Sequence, residues 1–377
     1  MKPAAIAAAC VGVALAYLSA NVTLNHAGNW TALFVTGDAV KAAPEELLRS
    51  ETLAVTHGSP GYDGQFYHYM AHDPWGARGF DSHIDDPGYR YRRILMPALA
   101  WCLALGRDRW IDYAYIAVVL LAIALGCCWT SRLALNAGRS AWWGAAFLVL
   151  PATLSALERM TVDVGVAALC CGWALYRLEG RGKPLLAIAC LAPAVRETGG
   201  LLCLAQLDRG WRWLWCMAPA AAWCAWTRWR YGPSRVEFLG PLPFEGWWQR
   251  LTHPAAYPFS RPVNEVLAGL DLLALVAFPA AWALVAWCVR KRESEWPALA
   301  LFALVPAFTS TGGVWVEANA FARSFTPLFL LLGAQALRSG RWLFAIPVAM
   351  VAPRVWMEMV SPLYQIVLRT AAIVSSR

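Results

Sequence analysis

Apolar runs separated by basic clusters dominate the chain and predict an all-α polytopic membrane protein. A helix needs about 20 apolar residues to cross a hydrocarbon layer of roughly 30 Å. Runs of this kind predict spans near residues 4–21, 111–134, 141–156, 161–177, 184–206, 211–229, 266–289, 296–309, 322–337 and 341–357. We interpret the first as a retained anchor rather than a cleaved signal peptide, because further spans follow it. The pattern therefore predicts one integral membrane domain, residues 1–377, with about 9–11 transmembrane helices.

Short basic connections orient these spans. Five connections carry the positive charge: Arg132 with Arg139; Arg177, Arg181 and Lys183; Arg209 and Arg212; Arg290, Lys291 and Arg292; Arg338 and Arg341. The positive-inside rule places all five on the cytoplasmic side. Residues 21–93 then form a large first outer loop bearing short helices, and residues 230–265 form a second outer loop that is rich in proline and predicted to be irregular.

Two apolar segments do not fit a simple crossing in this topology. Residues 94–106 are too few to span and have both ends outside, so they predict a re-entrant or surface helix. Residues 184–206 must enter and return on the same side. Pro193 and the Gly199-Gly200 pair can break a helix, which predicts a helical hairpin with a polar tip on the outer face.

Composition supports the membrane assignment and excludes other classes. The chain is 59% hydrophobic and 15% charged, with 22 tryptophans, whereas soluble domains average roughly 25% charged residues. The net charge of +8 comes with no nucleic-acid motif, so we predict contacts with membrane lipids and none with nucleic acid. None of the eleven cysteines lies in residues 21–93 or 231–265, which excludes disulfides there.

Polar residues collect on the predicted outer side. Residues 61–93 read GYDGQFYHYMAHDPWGARGFDSHIDDPGYRYRR between two apolar flanks. The same side carries later ionisable positions: Glu158, Arg159, Asp163, Arg196, Glu197, Glu317 and Arg323. Ionisable groups at membrane segments are costly, and they mark substrate paths or ion pairs. We therefore predict one outer site containing both carboxylates and guanidinium groups.

This mixture suits group transfer from a phosphate-linked donor. Arginines bind a leaving phosphate in bidentate fashion, and a carboxylate can take the proton of an attacking hydroxyl. Asp63 is the candidate base, since Gly64 is expected to permit a tight turn beyond an emerging helix. His68 and His72 have the i, i+4 spacing of metal ligands, but no HExxH pattern accompanies them. Arginines can neutralise the phosphate, so we predict no cofactor, although the chemistry is compatible with a divalent metal.

Structural interpretations of the same residues stay open. Asp63 could cap a helix or form a turn, and Asp85 and Asp86 precede a Pro-Gly turn. Glu158-Arg159 and Arg196-Glu197 could be ion pairs in which the two members satisfy each other. Arg323 could be an interfacial arginine that extends toward water.

Two motifs resemble a known superfamily. Residues 62–67 read YDGQFY, and residues 85–95 read DDPGYRYRRIL ahead of Pro97. They resemble bacterial multi-pass membrane proteins of the GT-C glycosyltransferase superfamily, including a branch with DGQFYY-like and YRYxRIL-like signatures. ERMTVD at 158–163 is similar to the superfamily's acidic motif ahead of a middle span, and RET at 196–198 to its short basic-acidic motif. The likeness extends to about residue 338, although only residues 62–97 are specific.

The resemblance implies a GT-C-like bundle and an inverting transferase in the bacterial cytoplasmic membrane, with its active site facing the periplasm. The donor would be a polyprenyl-phosphate sugar, and the acceptor a cell-envelope glycan, lipid or protein. Asp63 would be the base, where better-known members carry paired acids. Arg92, Arg93, Arg196 and Arg323 would bind the donor phosphate. The supporting and sugar-binding set would be Tyr62, Gln65, Tyr67, His68, Asp86, Tyr89, Glu158, Asp163, Glu197 and Glu317.

Two other classes fit a polar outer site. A transporter or flippase for a lipid-linked glycan would use the arginines along a translocation path, but residues 111–130 and 266–286 carry no charge near their centres. A non-catalytic membrane subunit of a glycan-assembly complex would bind the donor without turning it over.

Overall fold

The computed structural model describes residues 1–234 and 238–375, and these form an almost entirely helical protein. The first nine helices are α1 (Pro3–Ala20), α2 (Glu45–Ser50), α3 (Asp63–His72), α4 (Pro87–Arg90), α5 (Leu95–Leu103), α6 (Ile111–Asn136), α7 (Pro151–Arg159), α8 (Asp163–Leu178) and α9 (Gly182–Val195). The remaining helices are α10 (Gly200–Leu204), α11 (Ala218–Tyr231), α12 (Glu245–Thr252), α13 (Arg261–Lys291), α14 (Trp296–Phe308), α15 (Ala318–Ser324), α16 (Thr326–Ser339) and α17 (Ile346–Ser375). Strands β1 (Thr36–Gly37) and β2 (Val55–Thr56) pair in parallel, with Thr36 opposite Val55.

Four helical segments of the described chain are long and apolar enough to cross a membrane. They are Pro3–Asn25, Asp108–Asn136, Arg261–Lys291 and Trp342–Ser375. Two bent pairs raise the number to six when each pair is one span: Ala141–Val149 with α7, bent by 53°, and α15 with α16, bent by 56°. The prediction of an all-α membrane protein is confirmed at this level. Several other predicted spans correspond to helices of only 13 to 16 residues, namely α8, α9, α11 and α14.

The first irregular apolar segment is a short helix, whose re-entrant or surface position stays a prediction, and the second forms the predicted helical hairpin. Helix α5 has nine residues and ends at Leu103, and its C-cap Ala104 is followed by Leu105 and Gly106 with positive φ. Helices α9 and α10 run back along each other, joined by a short 3-10 turn over Glu197–Gly199. Gly199 makes this reversal feasible, since a Cβ there would lie 2.1 Å from the Ala192 carbonyl oxygen. The tip of this hairpin contains Arg196 and Glu197, as predicted.

The five basic connections meet at one end of the bundle. Arg132 pairs with Glu179 at 2.7 Å, and the Arg177 guanidinium contacts Asp208 and donates to the Ser294 carbonyl at 2.9 Å. Arg139 donates to the carbonyl of Leu337 at 2.7 Å. Connections far apart in sequence thus share one polar end, as the charge pattern predicts.

The second outer loop is more regular than predicted. It contains the eight-residue helix α12, and α13 already begins at Arg261. Gly246 of α12 packs so closely on Trp315 that a Cβ would lie 2.5 Å from that ring. Leu239 forms an antiparallel bridge with Thr309. The prolines therefore separate short ordered pieces, while residues 235–237 lie outside the described residues.

Helix α8 is the centre of the bundle. Almost every side chain from Asp163 to Leu175 is buried, and Trp173 is fully enclosed. Helix α6 packs against α8 on one side and against α1 and α5 on others. The amino-terminal residue of α8 is Asp163, and α3, the longest helix of residues 21–93, begins at Asp63.

Gly64 has a different role from the tight turn predicted for it. It lies within α3, where a Cβ would be 2.1 Å from the Arg159 carbonyl oxygen and 2.9 Å from that of Phe34. Glycine is needed because two backbone segments press on the start of α3.

We expect Gly64→Ala to destabilise the protein, because backbone oxygens cannot move aside as a flexible side chain can. The matched control is Gly269→Ala in α13, where nothing lies within 4 Å of the added Cβ. Alanine is favoured over glycine in helices by about 1 kcal/mol, so the control should be neutral or stabilising. Thermal unfolding of both variants in detergent checks this; equal melting temperatures would contradict the close approach.

Candidate functional site

A buried chain of alternating charges lies at the polar end predicted to be the outer one. Asp63 accepts a hydrogen bond from Arg90 at 2.8 Å and another from Arg323 at 2.5 Å. Arg323 also donates to Asp163 at 2.6 Å, and the second oxygen of Asp163 contacts Arg196. The side chains of Asp163 and Arg196 are 1% and 4% exposed. Two carboxylates therefore hold three guanidinium groups together in a low-dielectric interior.

Helix ends bring these residues together. Asp63 and Asp163 are the first residues of α3 and α8, where the helix dipole favours negative charge. Arg196 directly follows the last residue of α9, at the tip of the hairpin. Arg323 lies in the short helix α15, just before the bend into α16. Four elements that are distant in sequence thus each contribute one charge.

A second branch surrounds Arg93. Its guanidinium donates to Glu197 at 3.0 Å and to the Tyr67 hydroxyl at 3.0 Å, and it also contacts the Tyr89 hydroxyl. Arg90 extends the network in the other direction and pairs with Asp85 at 2.7 Å. Every arginine of the two branches therefore has a carboxylate partner.

Two adjoining cavities open onto Asp63, Arg90 and Arg323. The cationic cavity, of about 250 Å³, is lined by Asp63, Tyr89, Arg90, Arg93, Arg196, Phe238, Gly313, Val314, Ala320, Arg323 and Ser324. The acidic cavity, of about 240 Å³, is lined by Val40, Pro60, Gly61, Tyr62, Asp63, Gln65, Phe66, Asp85, Arg90, Gly313, Glu317, Ala320 and Arg323. Among these described lining residues, the cationic cavity has four arginines and one carboxylate, whereas the acidic cavity has three carboxylates and two arginines.

The electrostatics of Asp63 are set by these arginines. Burial raises the pKa of its carboxyl, but the positive charges of Arg90 and Arg323 outweigh burial and hold the pKa well below its usual range. Asp63 is therefore ionised at neutral pH. Its ion pairs contribute stability above the unfolded-state pKa of about 4, and this contribution is lost as the pH falls toward the lower folded-state pKa.

The structure brings together most of the predicted site residues. Asp63, Arg93, Arg196, Arg323, Asp163, Glu197, Tyr67 and Tyr89 belong to the charge network, and Tyr62, Gln65 and Glu317 line the acidic cavity. Gln65 uses its amide to bind the backbone, accepting from Gly37 at 3.1 Å and donating to Pro60 at 2.9 Å. It therefore shapes the loop beside Asp63.

Four predicted site residues lie elsewhere. Arg92 lines neither cavity and lies near Cys224 of α11. Asp86 caps α4 by accepting from the Tyr89 backbone at 2.9 Å, and the predicted Pro-Gly turn is the start of this helix. Glu158 contacts Tyr17 of α1 and lines a separate cavity. His68 packs into a cluster on the far side of α3.

The structure also contradicts the ion-pair interpretation of neighbouring residues and the interfacial interpretation of Arg323. Neither predicted adjacent pair forms, since Arg159 binds Glu358 at 3.0 Å while Arg196 and Glu197 bind Asp163 and Arg93. Arg323 does not extend toward water, because its side chain is 9% exposed and bonded to two acids. The Tyr62 ring contacts the guanidinium groups of both Arg159 and Arg323, at 4.4 and 5.0 Å. Tyr62 therefore lies between the Asp63 site and a third cavity of about 490 Å³, which is lined in part by Arg159.

Arg90 is not among the predicted phosphate-binding residues, and Asp85 is predicted to be a turn residue. Helical spacing could have found Arg90, since it and Arg93 are i, i+3 positions that share a face, whereas Arg92 is two positions from Arg90. No local signal distinguishes Asp85, whose partner is set by the fold.

One group of described residues has the donor set of a metal site. Glu51, His68, His72 and Asp112 place one ligand atom each within 4.8 Å of one another. This group is separate from both cavities described above.

Comparisons with protein-family models, curated proteins and solved structures gave no match to this chain.

We expect Asp163→Asn to cost about 3–5 kcal/mol of unfolding free energy, because it leaves Arg196 buried beside Arg323 and Arg93 without its carboxylate. Glu265→Gln is the control, since Glu265 forms an exposed i, i+4 pair with Arg261 at 2.8 Å. Such pairs contribute below about 0.5 kcal/mol. Denaturation in detergent checks both; an Asp163 variant as stable as the control would show that this carboxylate does not hold the network.

Proposed function

We propose that the protein is a glycosyltransferase that moves a sugar from a polyprenyl-phosphate carrier to a hydroxyl of a cell-envelope glycan, lipid or protein. The observation that carries the proposal is the position of Asp63 on the border between the cationic and the acidic cavity. A carboxylate at such a border can meet both a phosphate-linked carbon and an incoming hydroxyl.

The cationic cavity suits the donor phosphate. Arg93, Arg196 and Arg323 are buried arginines that present planar donor forks toward one space. Arginine binds phosphate oxygens in a bidentate manner and stays charged in an apolar environment. A lipid-linked phosphate fits this location because the cavity lies at the end of the helical bundle, where a membrane-embedded chain can present its head group.

The acidic cavity suits hydroxyl groups. Asp63, Asp85 and Glu317 offer carboxylate oxygens, and Tyr62 offers an aromatic face. Carboxylates accept hydrogen bonds from sugar hydroxyls, and aromatic faces pack on the apolar side of sugar rings. The acceptor hydroxyl would therefore lie on this side of Asp63.

The transfer step needs no reactant other than the donor, the acceptor hydroxyl and these residues. The acceptor oxygen attacks the anomeric carbon and forms the new glycosidic bond, while the bond from that carbon to the phosphate oxygen breaks. Asp63 takes the proton of the acceptor hydroxyl. The electron pair of the broken bond leaves on polyprenyl phosphate, whose added negative charge the arginines stabilise. Attack opposite to the leaving group inverts the anomeric centre.

Donor binding would also activate Asp63. Arg90 and Arg323 depress the proton affinity of this carboxylate. A bound phosphate competes for the same guanidinium groups, which weakens their hold on Asp63 and raises its pKa toward the range of a useful base. Proton transfer would thus become favourable only after the donor is bound.

The architecture that accompanies this function is a GT-C-like bundle of about 9–11 membrane helices in the bacterial cytoplasmic membrane, with the site facing the periplasm. The meeting of the five basic connections at one end of the bundle supports the orientation.

We expect Asp63→Asn to lower transfer by about 10²–10⁴-fold, the usual range for loss of a general base. The assay follows radiolabelled sugar from synthetic polyprenyl-phosphate sugars to membrane acceptors, using purified full-length protein. Asp38→Asn is the matched control, because Asp38 is another first-loop carboxylate and pairs with exposed His57 at 2.6 Å. Full activity in folded Asp63→Asn would overturn the base assignment.

The same assay separates the other functional classes. Donor binding without product in the wild type would favour a non-catalytic subunit, and movement of the intact donor across proteoliposomes would favour a transporter. Either result would overturn the proposal that the protein is a transferase.

We expect Arg196→Lys to weaken donor binding by about tenfold, or about 1.4 kcal/mol, because lysine keeps the charge but loses the bidentate fork. Arg132→Lys at the opposite end of the bundle is the control, since Arg132 also pairs with a carboxylate, Glu179, at 2.7 Å. The KM for donor measures the effect. An equal KM in the two variants would remove Arg196 from the phosphate site.

A further inference from the structure

The side of α3 that faces away from Asp63 carries two histidines in contact. His68 and His72 are one helical turn apart, and their Nε2 atoms lie 3.2 Å from each other. Glu51, which follows α2, approaches both rings, with its oxygens 3.4 Å from His72 Nε2 and 3.8 Å from His68 Nε2. Asp112, in the first turn of α6, lies 2.7 Å from His68 Nε2. We propose that these four residues form a structural Zn²⁺ site.

The hydrogen bonds of His72 orient one lone pair toward the centre of this cluster. Its Nδ1 lies 2.7 Å from Asp108, whose carboxylate is bound by Arg78 at 2.8 Å and can only accept. His72 Nδ1 therefore carries the proton, and Nε2 has a free electron pair facing His68 and Glu51. A carboxylate that orients a histidine in this way is the usual outer partner of a zinc ligand.

Charge also favours a cation in the cluster. Glu51 and Asp112 have ion-pair partners only among the two histidines in the described structure, whereas Asp108 has Arg78. One oxygen of Glu51 is buried without a hydrogen-bond partner. A divalent cation would neutralise the two carboxylates and coordinate the unpartnered oxygen.

The spacing and donor types fit zinc. Zinc binds imidazole nitrogen and carboxylate oxygen at about 2.0–2.2 Å, so neighbouring ligands of a tetrahedral site lie about 3.3–3.5 Å apart. Three separations around the two Nε2 atoms, 3.2, 3.4 and 3.8 Å, are close to this value. Asp112 lies at hydrogen-bond distance from His68 Nε2, 2.7 Å, so these two groups would move slightly apart to share one ion. Both histidine side chains are fully buried, and those of Glu51 and Asp112 are 11% and 14% exposed. Four protein ligands in an enclosed site are typical of structural zinc.

The site would join three segments of the outer region. Glu51 belongs to the loop around α2, the histidines to α3, and Asp112 to a helix long enough to cross the membrane. Phe34 stacks on His68 with ring centroids 4.1 Å apart and covers the cluster. Zinc would thereby fix α3 on the membrane bundle. This role concerns the fold of the loop, and it holds whether or not the protein catalyses the proposed transfer reaction.

The first test is the metal content of full-length protein, purified in detergent without metal affinity resin, saturated with Zn²⁺ and desalted. We expect about one Zn²⁺ per chain by plasma mass spectrometry, and loss of that metal in His72→Gln. His57→Gln is the control, because His57 forms an exposed pair with one carboxylate only, and it should retain the metal. Wild type without stoichiometric zinc, or zinc retained equally by all three proteins, would overturn the site.

A second measurement uses the wild type alone, so it holds even when a variant fails to fold. Chelation should lower the melting temperature and added Zn²⁺ should restore it, since the metal binds only the folded chain. Co²⁺ replacing zinc should give the strong visible absorption of a tetrahedral complex. An unchanged melting temperature after complete chelation, with no Co²⁺ spectrum, would contradict the proposal.

Discussion

The cost of burying charge governs the end of the protein that carries Asp63. A guanidinium or carboxylate group loses several kcal/mol of hydration inside a protein, and only a close opposite charge offsets that loss. The network from Arg90 through Asp63, Arg323 and Asp163 to Arg196 alternates in sign along its length. Because these residues are distant from one another in sequence, their ion pairs form only when the segments that carry them are folded together. The hairpin tip, the short helix α15 and the start of α8 are therefore held in register by charge as much as by apolar contact.

The same network stabilises the fold and, under the proposed function, would also bind an anion. Arginines without partners would bind phosphate more strongly, but they would destabilise the fold and repel one another. Carboxylates such as Asp163 keep Arg196 and Arg323 charged and aimed at the cationic cavity. A ligand phosphate would compete with these carboxylates for hydrogen bonds from the same guanidinium groups. Under the proposed function, selectivity for a phosphate group would arise because a neutral ligand cannot replace these ion pairs.

The sequence predicts the helical class, the hairpin at Arg196 and much of the site, because apolar run length, Gly-Gly breaks and ionisable residues near membranes are local signals. The sequence assigns the wrong role to residues whose contacts depend on which face of a helix they occupy. Arg92 and Arg90 differ by two positions and point to different neighbours, and a turn-like acid, Asp85, becomes a partner of Arg90. Gly64 reads as a turn residue, although it is needed for the approach of the Arg159 backbone, which is distant in sequence. Partners at long range are set by packing, and no local pattern encodes them.

Helix α3 shows how one short element can serve both the site and the fold. A helix turns about 100° per residue, so Tyr67 lies about 40° from Asp63, whereas His68 and His72 lie about 140° and 180° away. One face therefore carries Asp63 and the Tyr67 hydroxyl that supports Arg93, while the other carries the histidine cluster bound to Glu51 and Asp112. Contacts on opposite faces prevent the helix from rotating about its axis. A rotation of one residue would remove Asp63 from both arginines, so the histidine cluster positions the carboxylate through the rigid body of α3.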